Sequence, residues 1–237
     1  MHISTRGIVL HKTKYSETSI IANVFTRSSG MQSFIVKGAY AKCKRSTLAL
    51  LENLSIVDLT FDDNGRDVKY LHDISLHYSY QLLPFDMVRR ALSIFYNEMI
   101  YKILREYQAD AQLYDFVESS LLQLDAPDTV LTDVHLHFLV DLSKIMGFAP
   151  VDNYSEMRRF FSVDESCFVH EYFDYPTFLA EEASQYLCQL MRGEQVSPLP
   201  VKQVRSELLE GLIRYFEAHN EQIHRIESVE ILSRILS

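Results

Sequence analysis

Residues Ser19 to Val36 read SIIANVFTRSSGMQSFIV, and this stretch decides the first part of the fold. Two runs rich in β-branched and aromatic residues, Ser19–Thr26 and Met31–Val36, flank the polar sequence Ser28-Ser29-Gly30. The segment therefore reads as two antiparallel strands joined by a tight turn. Ile8–Leu10 precedes the pair. Leu54–Phe61 and Val68–Ile74 follow it, separated by Asp62-Asp63-Asn64-Gly65, which contains the Asn-Gly hairpin signal. Five short strands within about 75 residues suit a small closed barrel. The longer basic stretch Gly38–Leu51 falls between the third and fourth strands, where a five-stranded barrel of the OB type carries an inserted helix or loop.

After Pro84 the period changes. Val88, Leu92, Phe95, Met99 and Ile103 recur at spacings of three and four, the pattern of one buried helical face. Further helices are predicted at Ala111–Leu124, at Thr132–Met146 with a cap at Thr132 and a stop at Gly147, at Phe178–Met191 and at Gln203–Glu217. Phe160–Tyr172 has the composition of a short hairpin with Asp164 and Glu165 at its tip. The expectation is an α+β chain: an N-terminal five-stranded barrel over 1–80, then a mainly α-helical domain over 81–237 with a short β-hairpin near 160–172.

Of the 237 residues 47% are apolar, enough for a proper core, and no uncharged apolar run reaches membrane-spanning length. The first fifteen residues alternate charged and apolar positions instead of building a leader, so a cytoplasmic protein is expected. Cys43, Cys167 and Cys188 are far apart and none lies in a CxxC, so neither a disulfide framework nor a cysteine zinc site is written locally. No metal and no cofactor are expected. The nucleotide-binding, serine-hydrolase and zinc-peptidase motifs are all absent, which argues against an enzyme. His135-x-His137 has the wrong spacing for a helical metal pair, and the adjacent acids Asp62-Asp63 and Glu181-Glu182 are expected to point apart on a solvated surface.

Net charge is −9, but its distribution is uneven. Residues 1–50 carry eight basic side chains against one acidic, Glu17, whereas residues 81–237 carry thirteen basic and twenty-five acidic. A basic module on an acidic body can hold a polyanion locally. The candidate DNA-binding residues are Lys12, Lys14, Arg27, Lys37, Tyr40, Lys42, Lys44 and Arg45. Tyr15, Phe25, Phe34 and Tyr40 are interleaved with these cations, as in sites that grip a backbone and stack bases. Strand alternation assigns Phe25 and Phe34 to the barrel interior and leaves Tyr15 and Tyr40 for stacking.

The string Arg6-Gly7-Ile8-Val9-Leu10, then Tyr15-Ser16-Glu17-Thr18, Phe25-Thr26-Arg27, Gly30 and Lys37-Gly38-Ala39, resembles the opening of the RecO recombination-mediator family. His135–Pro150, with Gly147-Phe148-Ala149-Pro150, resembles that family's central helix and its ending, and Leu208–Leu236 resembles its C-terminal helices. Two departures stand out. The four-cysteine zinc site of many relatives is missing from Asp152–Arg159, and Tyr40 takes the place of an arginine after Lys-Gly-Ala, with Lys42, Lys44 and Arg45 close by.

The resemblance implies an OB-fold barrel, an all-helical body, and binding of single- and double-stranded DNA with annealing of complementary strands. It further implies association with RecR, docking of the acidic C-terminal tail of single-stranded DNA-binding protein, and help in loading the RecA recombinase. A nucleoid-associated protein is expected on that resemblance, and a monomer is assumed. Arg89, Arg90, Lys102, Arg105, Arg158 and Arg159 are the candidate basic groups for the tail. Two other readings compete. One is an adaptor whose barrel docks proteins rather than DNA, marked by a neutral or acidic barrel surface; the other is an enzyme with a dispersed site, marked by a deep pocket with several displaced pKa values.

Overall fold

The computed structural model describes residues 2–39, 45–104 and 109–235. The chain forms two compact units, Met1–Pro127 and Asp128–Ser237. The expected division after residue 80 follows the change from strand to helix, whereas the first compact unit also takes in the two helices that come next.

Five strands open the first unit: β1 (His2–Lys14), β2 (Ile20–Thr26), β3 (Gly30–Val36), β4 (Ile56–Asp62) and β5 (Val68–Leu76), with helix α1 (Arg45–Leu50) between β3 and β4. They close into a barrel in the order β1-β2-β3-β5-β4, antiparallel except for the β3–β5 pair, which is the OB arrangement. Strand β1 is much longer than the expected Ile8–Leu10. Its first half, His2–Ile8, pairs with β4, and its second half, Gly7–Lys14, pairs with β2 across an irregularity between Val9 and His11. Thr5, Arg6, Lys12 and Lys14 break the apolar pattern that sequence reading relies on, yet their backbones remain in the ladder.

The barrel interior holds Val9, Ile20, Ala22, Val24, Phe34, Val36, Val57, Leu59 and Phe61, with Leu48, Leu50 and Leu51 from and just after α1 against it. Phe34 and Phe61 meet edge to face at 5.0 Å. Gly7 is required here, because a Cβ would fall 2.6 Å from Val24 Cγ1 and 2.9 Å from Leu59 Cδ2. Phe25 departs from expectation. Although fully buried, it follows the interior residue Val24 and so faces outward, where Tyr114 of α3 (Ala111–Asp125) packs on it at 5.5 Å. Ile8 and Leu10 are likewise fully buried on either side of Val9. This two-sided burial explains the unbroken apolar runs at these positions.

Helix α2 (Met87–Ile103) buries the expected stripe of Leu92, Phe95, Met99 and Ile103, and it lies against β1 and α3. Asp86 and Asp110 cap α2 and α3 by accepting from Arg89 N and Leu113 N. Asp125, the last residue of α3, accepts from the backbone N–H groups of Gln81, Leu82 and Leu83 at 2.7–2.8 Å and from the Tyr78 hydroxyl at 3.1 Å. Its position at a helix C-terminus is electrostatically unfavourable. Burial alone would raise the Asp125 pKa, but the N–H groups of Gln81, Leu83 and Leu82 together with the Tyr78 hydroxyl draw it below the usual carboxylate value.

The second unit contains α4 (Val134–Ile145), α5 (Glu181–Met191), α6 (Lys202–His219) and α7 (Ser228–Ile235), with a hairpin of β6 (Phe160–Ser162) and β7 (Cys167–Val169). Helix α5 begins three residues later than expected. Leu179 N donates to Phe161 O, and Ser162 bridges Phe178, so this segment lines the hairpin edge before the helix starts. Helix α4 starts at Val134 after Asp133 rather than Thr132, and Gly147 closes it at φ 81°. The cysteine-free segment after Pro150 is fixed by Asn153, whose side chain accepts from Phe168 N and donates to Phe168 O, while Phe161 and Phe168 pack at 5.3 Å.

Two outcomes follow from these buried polar groups. Asp125→Ala leaves three backbone donors without their acceptor, so a urea titration followed by circular dichroism should show a loss of about 3 kcal/mol; a loss under about 1 kcal/mol would show that water replaces the carboxylate. In α4, burial holds the His135 pKa down at about 4 against an ordinary 6.5, with the nearby Arg205 and His137 adding to the effect and Asp133 opposing it. The unfolded chain therefore binds the proton first, and stability present above pH 6.5 is lost as pH falls toward 4. Between pH 7.5 and 5 the wild type should lose about 2 kcal/mol more than His135→Gln; equal losses would contradict the assignment.

Candidate nucleic-acid interface

The cations of the first unit fall at two ends of the barrel. In the β1–β2–β3 ladder Lys14 is opposite Ile20, and Ile20 is opposite Val36. The β1–β2 turn and the chain leaving β3 therefore emerge side by side. Lys14 is exposed and makes no ion pair among the described residues, and Tyr15 beside it is 63% exposed. Lys37 sets its ammonium 4.7 Å from the ring centre of Tyr70, a β5 side chain 43% exposed, in a cation–π contact. Lys12 lies on the same half of β1, with its Nζ 2.6 Å from Glu52 Oε1. Both partners of that pair have solvent access, so it is readily exchanged for another anion.

The opposite end is already neutralised. Arg27 follows β2, and its Nε and Nη2 donate to the two oxygens of Asp115 on α3 at 2.6 and 2.8 Å. Arg6 Nη1 donates to Glu118 Oε2 at 2.7 Å, one turn further along α3. The guanidinium of Arg27 holds the Asp115 pKa below its ordinary value and is itself raised by the same contact. Arg6 and Arg27 line an open polar groove with Ser4, Thr5, Ser28, Asp58 and Asp115. Lys14 lies eight residues beyond Arg6 on β1, about 26 Å at strand rise.

A third region is acidic. Asp58 and Asp62 on β4, Asp73 on β5, and Asp63 and Asp67 between those strands are all exposed. The barrel surface is thus uneven in charge, with the exposed Lys14 and Lys37 where the β1–β2 turn and the end of β3 meet.

Of the residues singled out from sequence, Lys12, Lys14 and Lys37 come together, and Arg27 is remote from them. Tyr40, Lys42 and Lys44 lie outside the described residues, as does the Arg45 side chain at the start of α1. Phe34 belongs to the interior and Phe25 to the contact with α3. Tyr70 was missed; its only signal was an aromatic residue at an outward strand position. Among the candidates for an acidic tail, Arg89 is buried and donates to Leu124 O, Lys102 pairs with Glu98, and Arg159 pairs with Glu181. Arg90 and Arg158 are exposed, and Arg105 lies outside the described residues. In the second unit a small pocket is lined by Thr132, His135, Lys202, Arg205 and Ser206; His135 is the group there whose pKa is displaced.

Comparison with known proteins agrees along the whole chain. The family model described as "Recombination protein O N terminal" matches residues 1–80, and that described as "Recombination protein O C terminal" matches residues 84–155. The chain is 27% identical over 238 residues to the DNA repair protein RecO of Phocaeicola vulgatus, covering 98% of both chains. It is 28% identical over 245 residues to that of Flavobacterium johnsoniae, covering 100% of both, and 28% identical over 244 residues to that of Porphyromonas gingivalis, covering 99% of both.

Proposed function

Because the chain belongs to the RecO family of DNA repair proteins, we propose that it is a non-enzymatic mediator that binds single- and double-stranded DNA through the Lys14 and Lys37 end of its barrel. The observation that carries this reading is the juxtaposition of exposed Lys14 and Tyr15 with Lys37, whose ammonium lies over Tyr70, at one end of the barrel. Lys42, Lys44 and Arg45, next in sequence after Lys37, extend the positive charge. Phosphates neutralised there release counterions, and two complementary strands held with reduced repulsion pair through base edges that the protein leaves free. Tyr15 and Tyr70 offer faces for stacking, worth about 1–3 kcal/mol per base, and Tyr40 is the sequence candidate for a third. The protein contributes no bond chemistry to annealing.

Arg27 is a lesser contact, since Asp115 already matches its charge. Loading of RecA follows indirectly, through association with RecR and with the acidic tail of single-stranded DNA-binding protein; among the described sequence candidates for that tail, Arg90 of the first unit and, separately, Arg158 of the second are exposed. The acidic β4–β5 face favours a second reading, in which the barrel also docks a basic protein surface.

Fluorescence anisotropy of a labelled single-stranded oligonucleotide at several salt concentrations tests the assignment. Lys14→Ala combined with Lys37→Ala should weaken binding about 10-fold at low salt and flatten the log–log salt slope by about 1.4. Arg27→Ala should change affinity less than about 2-fold. Unchanged affinity in the double variant, or no salt dependence in the wild type, would move the docking reading to the front.

A further inference from the structure

Three strand positions outside the proposed DNA surface converge on one point. Strand β4 lies between β1 and β5 in the barrel, and at its end Asp62 is directly opposite His2 of β1. On the other side the β4–β5 ladder pairs Thr60 with Asp73 and Phe61 with Leu71, which leaves His72 as the extra residue of a bulge. A bulge turns its side chain out of the regular strand direction. Here that brings His72 Nε2 within 2.8 Å of Asp62 Oδ2, while His2 Nδ1 is 3.3 Å from Asp62 Oδ1. All three ligand atoms lie within 4.8 Å of one another, and among the described residues this is the one such group of three or more His, Cys, Asp or Glu.

The neighbouring Asp63 does not join them, because it turns to Lys69 Nζ at 3.3 Å and to Gly65 N at 3.3 Å. We infer that His2, Asp62 and His72 bind one divalent transition-metal ion of the zinc, nickel or copper class. Two imidazole nitrogens and one carboxylate oxygen suit these borderline ions, whereas magnesium and calcium require oxygen donors throughout. Donors about 2.0–2.1 Å from a tetrahedral zinc are about 3.3 Å apart. The His2 Nδ1–Asp62 Oδ1 spacing already matches this value, and with one ligand atom from each residue all lying within 4.8 Å, rotation of the exposed side chains closes the set around an ion. Three protein ligands on a solvent-facing strand edge leave the fourth position to water or an anionic oxygen. The site is distinct from the segment after Pro150 and is independent of the DNA-binding reading.

Isothermal titration of the full-length, untagged, chelator-treated protein with zinc chloride tests this, without DNA. One equivalent of zinc should bind in the micromolar range, and both His72→Ala and Asp62→Asn should weaken it more than about 10-fold. Zinc should also shift the imidazole resonances of His2 and His72 in the nitrogen-15 spectrum, leaving His137 unmoved. All three ligand side chains are exposed, so thermal unfolding of the metal-free variants should match the wild type and exclude misfolding as the cause. Equal affinity and stoichiometry in His72→Ala and Asp62→Asn would overturn the inference, as would no binding up to millimolar zinc. Binding abolished by Cys167→Ser with Cys188→Ser instead would overturn it equally.

Discussion

The carboxylate of Asp125 gathers the N–H groups of three consecutive residues, 81–83, and the hydroxyl of Tyr78 at the point where the chain leaves the barrel for its first helices. Those donors lie at a sharp change of direction and have no ladder partner, so without an acceptor their burial would cost several kcal/mol. One side chain supplies them all, and it belongs to α3. The end of α3 is thereby fixed to the barrel exit. Arg89 reinforces the joint by donating to Leu124 O, one residue earlier. Ile8, Leu10 and Phe25 can then be apolar on the outer barrel wall, because the helices of the same unit cover them.

The placement of α3 decides the electrostatics. With its C-terminus held by Asp125, the helix presents Asp115 and Glu118 to Arg27 and Arg6. These pairs remove positive charge from one end of the barrel. Lys12, Lys14 and Lys37 lie instead where the β1–β2 turn meets the end of β3. On the proposed reading, a polyanion would be guided to one end of the barrel rather than wrapped around it. A DNA repair protein with a net charge of −9 needs such local focusing, since its average field repels phosphate.

Much of this architecture was legible in the sequence because local pattern and tertiary role coincide. Ser19–Val36 reads as a hairpin and forms one, the Asn64-Gly65 turn joins β4 to β5, and the stripe from Val88 to Ile103 marks α2. The failures have one cause, in that the deciding partner was distant in sequence. The first half of β1 is broken by polar residues and is held in place by β4, about fifty residues away. Phe25 lies on the outer face because α3 offers Tyr114, and Phe178 is recruited by the hairpin rather than by α5. Likewise the cationic cluster was visible as composition, but Asp115, 88 residues from Arg27, gave no hint that it would neutralise that member. Tyr70 became a candidate only once Lys37 was seen beside it.

Hydrogen–deuterium exchange of the full-length protein with and without single-stranded DNA tests the central claim, that α3 leaves one end of the barrel open to phosphate and closes the other. The account predicts protection at residues 13–19 and 37–39 on adding DNA, with residues 27–30 and α3 unchanged. Protection centred on residues 27–30 and α3, or on the β4–β5 face, would contradict it.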